Sequence, residues 1–233
     1  LILAQQGMRV GVLDADVYGP NIALMLGVKR TQPASSWMLA RNPKIGPHKL
    51  EPVDLHGVRV FSMAFAVAES QPLAWEGGLV RALVHQLLRD VEWGPLDWLL
   101  IDMPPGTGDI QQAICDGADL DGVVLVVTPQ DVAHLDARRA LEMYRQKGVR
   151  VLGAVENMSG LECPHCSEHV DVFRPVPDDR SLWSLGVEKL GSLPLDPELS
   201  SAQDGGRPIT LDGSGSATVR ALRDVAGRLS ELN

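Results

Sequence analysis

The sequence lacks the features that mark three large classes of protein. Basic residues form no cluster: 21 Lys and Arg stand against 30 Asp and Glu, and the formal net charge is -9. Such a chain is poorly suited to a polyanion, so we expect no nucleic-acid partner. No apolar run approaches the roughly 20 residues that a membrane span needs, and no secretion signal is found. These absences predict a cytoplasmic protein with no membrane partner.

Cysteine is also scarce, and the chain does not begin with methionine. The three cysteines, Cys115, Cys163 and Cys166, are too few and too unevenly spaced for a disulfide framework. They are therefore available for metal or redox chemistry. Residues 1–7 indicate the last turns of a helix closed by a C-terminal glycine. We therefore expect a chain truncated at its N-terminus.

Short apolar runs that end in polar residues recur along the chain. They are typical of parallel strands buried on both faces, and helix-like stretches separate them without a hairpin signal. The sequence predicts an α/β fold with a doubly wound, mostly parallel sheet and helices on both faces, in a single domain over residues 1–233. The predicted strands cover residues 9–13, 98–101, 123–127 and 151–155, and the predicted helices cover residues 79–91, 109–117, 132–147 and 215–231.

Polar side chains follow four of these strands, at Asp16, Asp102, Thr128 and Asn157. Ligands bind at the carboxyl ends of parallel strands, so we expect one ligand site there. Asp102 precedes a Pro-Pro-Gly-Thr-Gly turn, a place from which a carboxylate can position hydrated magnesium beside a phosphate; the alternative is an ordinary strand end before a helix. Asp16 is a better candidate than Asp14 to orient water, because Asp14 is equally suited to local turn hydrogen bonds.

Cys163 and Cys166 form a lone Cys-Pro-His-Cys pair beyond the last of these strands. Two thiolates supply half of a four-ligand site, so a metal bound here would take its other ligands from a second copy of the chain, in a homodimer. The residues alone favour zinc but leave open an iron-sulfur cluster, a redox pair or two structural thiols. His165 and His169 are alternative ligands, although exposed loop histidines are more often solvated.

Four motifs in this order carry a resemblance to a known family. They are Asp-Ala-Asp-Val-Tyr-Gly-Pro at residues 14–20, Ile-Asp-Met-Pro-Pro-Gly-Thr-Gly-Asp at 101–109, Thr-Pro-Gln-Asp-Val at 128–132, and the segment 156–166 from Glu-Asn-Met-Ser to Cys166. Together they resemble the Mrp/ApbC family of iron-sulfur cluster carrier ATPases, which belong to the MinD-like group of deviant P-loop NTPases. The resemblance covers nearly the whole chain.

The resemblance implies an ATP-hydrolysing homodimer that carries a bridging 4Fe-4S cluster. It implies that ATP and Mg²⁺ are cofactors, and that the partners are cluster assembly scaffolds and apo iron-sulfur proteins. The implied site residues are Asp16, which orients water, Asp102, which lies near magnesium, Asn157, which reads the adenine edge, and Cys163 and Cys166, which ligate the cluster from a loop at residues 160–175.

The sequence departs from the family in three places. One is Phe-Arg-Pro-Val-Pro at residues 173–177, which replaces a glycine-rich stretch after the cysteines. The family's phosphate-binding loop, Lys-Gly-Gly-Val-Gly-Lys-Ser/Thr, is not found in the sequence, and Glu76 stands where similar sequences have arginine. The amides and lysine of that loop neutralise a triphosphate, so we expect this chain alone to be an inactive ATPase, with the loop and the first strand lying ahead of Leu1. The alternative function is a MinD-like scaffold or partitioning ATPase with a structural zinc at the dimer seam.

Overall fold

The computed structural model describes residues 1–16, 18–28, 50–62, 65, 77–163, 165–166, 168–213 and 215–232, with the backbone alone at 77–80. Glu76 lies outside these residues. The chain divides into two compact units, one formed by residues 1–118 and 201–208 and the other by residues 119–200 and 209–233. That the two units make up one domain stays a prediction.

The first unit is built on a sheet with both parallel and antiparallel pairs. Its described strands are β1 (Val10–Asp14), β2 (Val53–Leu55), β3 (Val58–Ser62) and β4 (Trp98–Asp102), and its helices are α1 (Ile2–Gln5), α2 (Ile22–Met25), α3 (Gly77–Asp90) and α4 (Asp109–Gly117). The strand order is β2-β3-β1-β4, and β1 pairs in parallel with both β3 and β4. This register places Asp14 beside Asp102 at the carboxyl ends of β1 and β4.

The strands of this sheet are buried to different degrees. Val10 and Leu13 on the central strand β1 are almost inaccessible, whereas Leu99 and Leu100 on β4 are each 38% exposed. The prediction that β4 is buried on both faces is therefore wrong. The physical reason is its position, because β4 is the edge strand of the sheet as far as the described residues show.

The second unit contains a parallel sheet and a small hairpin. Its described strands are β5 (Val123–Val127), β6 (Val151–Glu156), β7 (Leu161–Glu162), β8 (His169–Val170) and β9 (Lys189–Ser192), and its helices are α5 (Asp131–Gln146) and α7 (Ala217–Leu232). Helix α6 (Pro197–Asp204) has residues in both units. The parallel sheet has the order β5-β6-β9, and β7 pairs antiparallel with β8. Helix α7 covers β6 and β9 through an apolar cluster that includes Val155, Leu190 and Val225.

The local sequence patterns located most of these elements. All four predicted strands and all four predicted helices are present, with ends that differ by at most two residues. Helix α1 is closed by Gly7, whose φ of 89° is left-handed, as the sequence predicted. The two hairpins, β2–β3 and β7–β8, were not predicted. None of the helices in the described part of the chain is long and apolar enough to cross a membrane.

Candidate functional site

Asp16 lies in the turn that follows β1. Its Oδ1 accepts hydrogen bonds from the backbone N–H groups of Tyr18 and Gly19, at 3.1 and 3.0 Å. This pattern is an Asx turn, in which a carboxylate substitutes for a backbone acceptor and fixes the path of the chain. The side chain of Asp16 is therefore held in place at the carboxyl end of β1 while remaining partly exposed.

Asp14 has a different environment, because it is completely buried. Its carboxylate accepts hydrogen bonds from the Ser62 hydroxyl at 2.8 Å, the Ile22 N–H at 3.2 Å and the Asp16 N–H at 3.3 Å. Burial raises the pKa of Asp14 to about 6; the hydrogen bonds oppose this, and the negative charge of Asp102 adds to it. Asp14 therefore joins β3 and α2 to the Asp16 turn, the structural role that the sequence left open for it.

Asp102, at the end of β4, interacts electrostatically with Asp14 and Asp16. Partial desolvation raises the pKa of this carboxyl, and the negative charge of Asp16 raises it further. The two carboxylates therefore lie close enough to repel each other, and a divalent cation between them would relieve that repulsion. Carboxylate oxygens with coordinated water are the ligands that magnesium prefers, so Asp16 and Asp102 fit such a cation.

Asp16 lines a cavity of about 530 Å³. Asp16, Tyr18 and Gly19 form one side, and the turn at Pro104 and Pro105 forms the other together with the first residues of α4. This volume is within the range of sites that bind small molecules. The first unit thus places Asp16 in a cavity that is also lined by Pro104, the second residue after Asp102.

The other two polar residues that follow predicted strands, Thr128 and Asn157, lie in the second unit. Thr128 follows β5 and Asn157 follows the neighbouring strand β6, where the Asn157 N–H donates to the Val127 carbonyl at 2.6 Å. The Asn157 Oδ1 accepts the N–H of Met158 at 3.0 Å, which leaves the amide nitrogen as the donor for a ligand. Thr128 and Asn157 are brought together in one unit and Asp16 and Asp102 in the other. The convergence of all four on one site stays a prediction.

Cys163 and Cys166 lie on the turn of the β7–β8 hairpin. The Cys163 N–H donates to the Glu168 carbonyl at 2.9 Å, and this hydrogen bond extends the β7–β8 pairing by one residue towards the turn. The N–H groups of His165 and Cys166 and the Cys166 thiol point at the Cys163 sulfur, and these hydrogen bonds lower the pKa of the Cys163 thiol. A lower pKa favours the thiolate, which is the form that binds metal. Both cysteines are free, and Cys166 is exposed.

The two histidines near the cysteines are both exposed. His169 Nε2 lies 3.0 Å from Asp171 Oδ1, and its ring packs on Gly160. That these two histidines are solvated and do not bind metal stays a prediction. In the described residues, no group of three or more His, Cys, Asp or Glu side chains is arranged to hold a metal ion.

The contact between Gly160 and His169 gives a prediction about cysteine presentation. A Cβ on Gly160 would overlap the His169 ring, and the glycine φ of 153° disfavours any side chain. We expect Gly160→Ala to displace the hairpin and to reduce the iron bound after anaerobic reconstitution. Gly160→Ala/His169→Ala removes the overlap and should restore part of that iron. Equal iron in Gly160→Ala and wild type would contradict this prediction.

His134 is a buried residue that sequence analysis did not single out. It lies on α5 with no exposed surface, and its Nδ1 accepts the Leu182 N–H at 3.0 Å. Its ring meets the Trp183 ring edge to face, with 5.7 Å between centroids. The ring is neutral in this arrangement, with its proton on Nε2, because an imidazolium has no acceptor for Leu182. Burial lowers the pKa of His134, although the charges of Glu156 and Asp131 oppose the shift.

This environment makes the stability of the protein depend on pH. Because the pKa of His134 is lower in the folded state than its ordinary 6.5, the unfolded chain takes up a proton first as the pH falls. We expect His134 to contribute a decrease in the free energy of unfolding below about pH 6.5, opposite in sign to the contribution of Asp14, whose pKa is raised to about 6. His134→Asn keeps an acceptor for the Leu182 N–H but does not titrate, so this part of the decrease should be absent from it. Urea denaturation at several pH values measures both; parallel curves for the two proteins would contradict the assignment.

Comparison with known proteins agrees with this geometry. The family model ParA, described as NUBPL iron-transfer P-loop NTPase, matches residues 1–230. The iron-sulfur cluster carrier protein of Synechocystis sp. is 41% identical over 98% of this chain and 64% of its own length. The iron-sulfur cluster carrier protein of Pyrococcus abyssi is 40% identical over 97% of this chain and 77% of its own length. The iron-sulfur cluster transfer protein NUBPL of Mus musculus is 38% identical over 94% of this chain and 66% of its own length. The chain thus spans about two thirds to three quarters of these relatives.

Solved structures give the same fold. A nucleotide-binding protein from Archaeoglobus fulgidus, solved in complex with ADP, has a TM-score of 0.70 and 33% identity, and the match covers 88% of this chain and 76% of that one. The cell division ATPase MinD of Pyrococcus furiosus has a TM-score of 0.65 over 100% of this chain and 90% of its own, and at 20% identity it supports the fold alone. The predicted α/β fold and the predicted family are confirmed: the chain belongs to the NUBPL iron-transfer P-loop NTPases.

Proposed function

We propose that the protein is a nucleotide-dependent iron-sulfur cluster carrier. Two copies hold one 4Fe-4S cluster through Cys163 and Cys166 of each and pass it to apo-proteins. The observation that carries the proposal is the hairpin turn, which presents two free sulfurs together and lowers the pKa of the Cys163 thiol. The names of the relatives, which are carrier and transfer proteins, support the same function.

The number of cysteine ligands in each chain is the reason that the proposed carrier is a dimer. A 4Fe-4S cluster takes four cysteine ligands, and this hairpin offers two. A second copy related by a twofold axis supplies the other two. Since Cys166 is exposed, the shared cluster would lie near the surface, where another protein's thiolates can reach it. The free cysteines also suit the reducing cytoplasm, which is where we place the protein.

The nucleotide site has three further assigned residues. Asp16 orients the attacking water, Asp102 lies near Mg²⁺, and Asn157 reads the adenine edge. The cavity beside Asp16, the closeness of the two carboxylates and the available amide of Asn157 support these roles. Magnesium would supply charge neutralisation for the phosphates. Because the family's phosphate-binding loop is not in this sequence, we assign ATP hydrolysis to a protein that includes it and expect this chain alone to be inactive.

A transfer assay tests the proposal. The protein is reconstituted anaerobically with iron and sulfide, freed of excess reagents, and mixed with an apo-ferredoxin that takes a 4Fe-4S cluster. We expect the cluster to appear on the ferredoxin and light scattering to give a dimer for the loaded carrier. A dimer that contains zinc but neither iron nor sulfide would refute the carrier function and favour the MinD-like scaffold.

A further inference from the structure

The turn after Asp102 is held by a buried side chain that the assigned roles do not use. Gln111, on the first turn of α4, is 2% exposed, and its Nε2 donates to the carbonyl oxygens of Pro104 and Pro105 at 2.5 and 3.1 Å. Since both neighbours are carbonyl oxygens, the amide nitrogen is the atom that faces them. Proline has no N–H, so the backbone of this turn offers few donors of its own. The side-chain amide of Gln111 therefore supplies the hydrogen bonds to these carbonyl oxygens that backbone N–H groups supply in other turns.

The next residue holds the other end of the same loop. The Gln112 Nε2 donates to the Thr107 carbonyl at 3.1 Å, and its Oε1 accepts a long hydrogen bond from Arg81 of α3, at 3.5 Å. Consecutive helical residues point in different directions, so the two amides reach two separate points on the loop. The loop is thus attached to α4 at Pro104–Pro105 and again at Thr107.

The Pro104–Pro105 turn is also a wall of the site. It lines the same cavity of about 530 Å³ as Asp16, Tyr18 and Gly19, and Gln111 lines this cavity as well. A single residue, Met103, separates Asp102 from the turn, so a shift of the turn changes both the end of β4 and the width of the cavity. A displacement of about 1 Å in such a wall can cost on the order of 100-fold in rate.

We propose that Gln111 is a positioning residue for nucleotide hydrolysis. Its buried amide fixes the Pro104–Pro105 turn, and the turn fixes the separation between Asp102 and the Asp16 loop. The inference rests on the proposed hydrolytic function. Gln111 acts through the turn and does not touch the reacting atoms.

The first test measures the turn directly. Gln111→Met keeps the length of the side chain but has no donor, and Gln111→Glu keeps its shape but places a carboxylate against two carbonyl oxygens. Gln146→Met is the matched control, because Gln146 is exposed on α5 and bonds Glu142 on the surface. The N–H groups of Ala15 and Gln112 donate to the carbonyl oxygens of Asp102 and Gly108, on either side of the turn. By hydrogen exchange, both Gln111 variants should exchange these two amides roughly tenfold faster than wild type or Gln146→Met. Unchanged exchange there would overturn the inference.

The second test uses steady-state ATP hydrolysis by a protein that includes both this chain and a phosphate-binding loop. We expect kcat per bound nucleotide to fall roughly tenfold or more in both Gln111 variants, with KM within about twofold of wild type. A loss of folded structure would instead lower the number of nucleotide sites. Full kcat in Gln111→Met would refute the positioning role alone. A wild-type protein without ATPase activity would refute the proposed function.

Discussion

After anaerobic reconstitution, Cys163→Ser and Cys166→Ser should each retain almost no iron or sulfide. A serine hydroxyl is not ionised at neutral pH and binds iron far less well than a thiolate. Each substitution also removes two ligands from the dimer, because both copies carry it. Cys163→Ser additionally removes the sulfur that the His165 and Cys166 N–H groups face, so those donors would have no thiolate to stabilise.

Cys115→Ser is the matched control for this experiment. Cys115 is a partly buried cysteine on α4, far along the sequence from the hairpin, and we assign it no part in the cluster. It should retain wild-type iron, sulfide and charge-transfer absorption. A Cys163→Ser/Cys166→Ser protein that keeps the absorption would show that the cluster is bound elsewhere.

We expect Gly206→Ala to destabilise the first unit by about 2–5 kcal/mol. Gly206 and Gly27 lie against each other with left-handed φ angles of 61° and 88°. A Cβ on Gly206 would lie 2.6 Å from Gly27 Cα and 3.0 Å from the Leu24 carbonyl oxygen, and neither backbone atom can move aside without shifting α2. Residues 201–208 come from far along the chain, so this contact fixes them to the unit that contains Asp16.

Gly57→Ala is the control for Gly206→Ala. It separates the cost of left-handed backbone strain from the cost of the close contact with Gly27. Gly57 belongs to the same unit and has a similar φ of 83°, but a Cβ there would meet no atom within 4 Å. It should lose only the left-handed strain, about 1–2 kcal/mol. Urea denaturation of both variants measures the difference. Equal losses would mean that the close contact with Gly27 contributes nothing to stability.

The elements with a strong local pattern were predictable from the sequence. Helix α4 has an acidic first residue and apolar residues at helical spacing, and β5 is a continuous apolar run, so both were located without error in their ends. The β2–β3 hairpin was missed because β2 has three residues, although the His56-Gly57 turn, with φ angles of 51° and 83°, carried a signal. The β7–β8 hairpin has two-residue strands, which show no pattern.

The residues that support the site were not predictable in the same way. Asp16 and Asp102 follow apolar strands, so their position at a ligand edge could be inferred from spacing. Ser62 is 48 positions away from Asp14, and only the parallel pairing of β1 and β3 brings the two together. The role of Gln111 likewise depends on how the Pro104–Pro105 turn folds back on α4, which periodicity does not indicate.

The measurement that tests the shared cluster most directly is the iron, sulfide and zinc content of the anaerobically purified protein, together with its mass. We expect about four iron and four sulfide for every two chains, in a dimer and without zinc. Four iron on a monomer would contradict the shared site, since one hairpin supplies two sulfurs. One zinc for every two chains, with no sulfide, would contradict the carrier function.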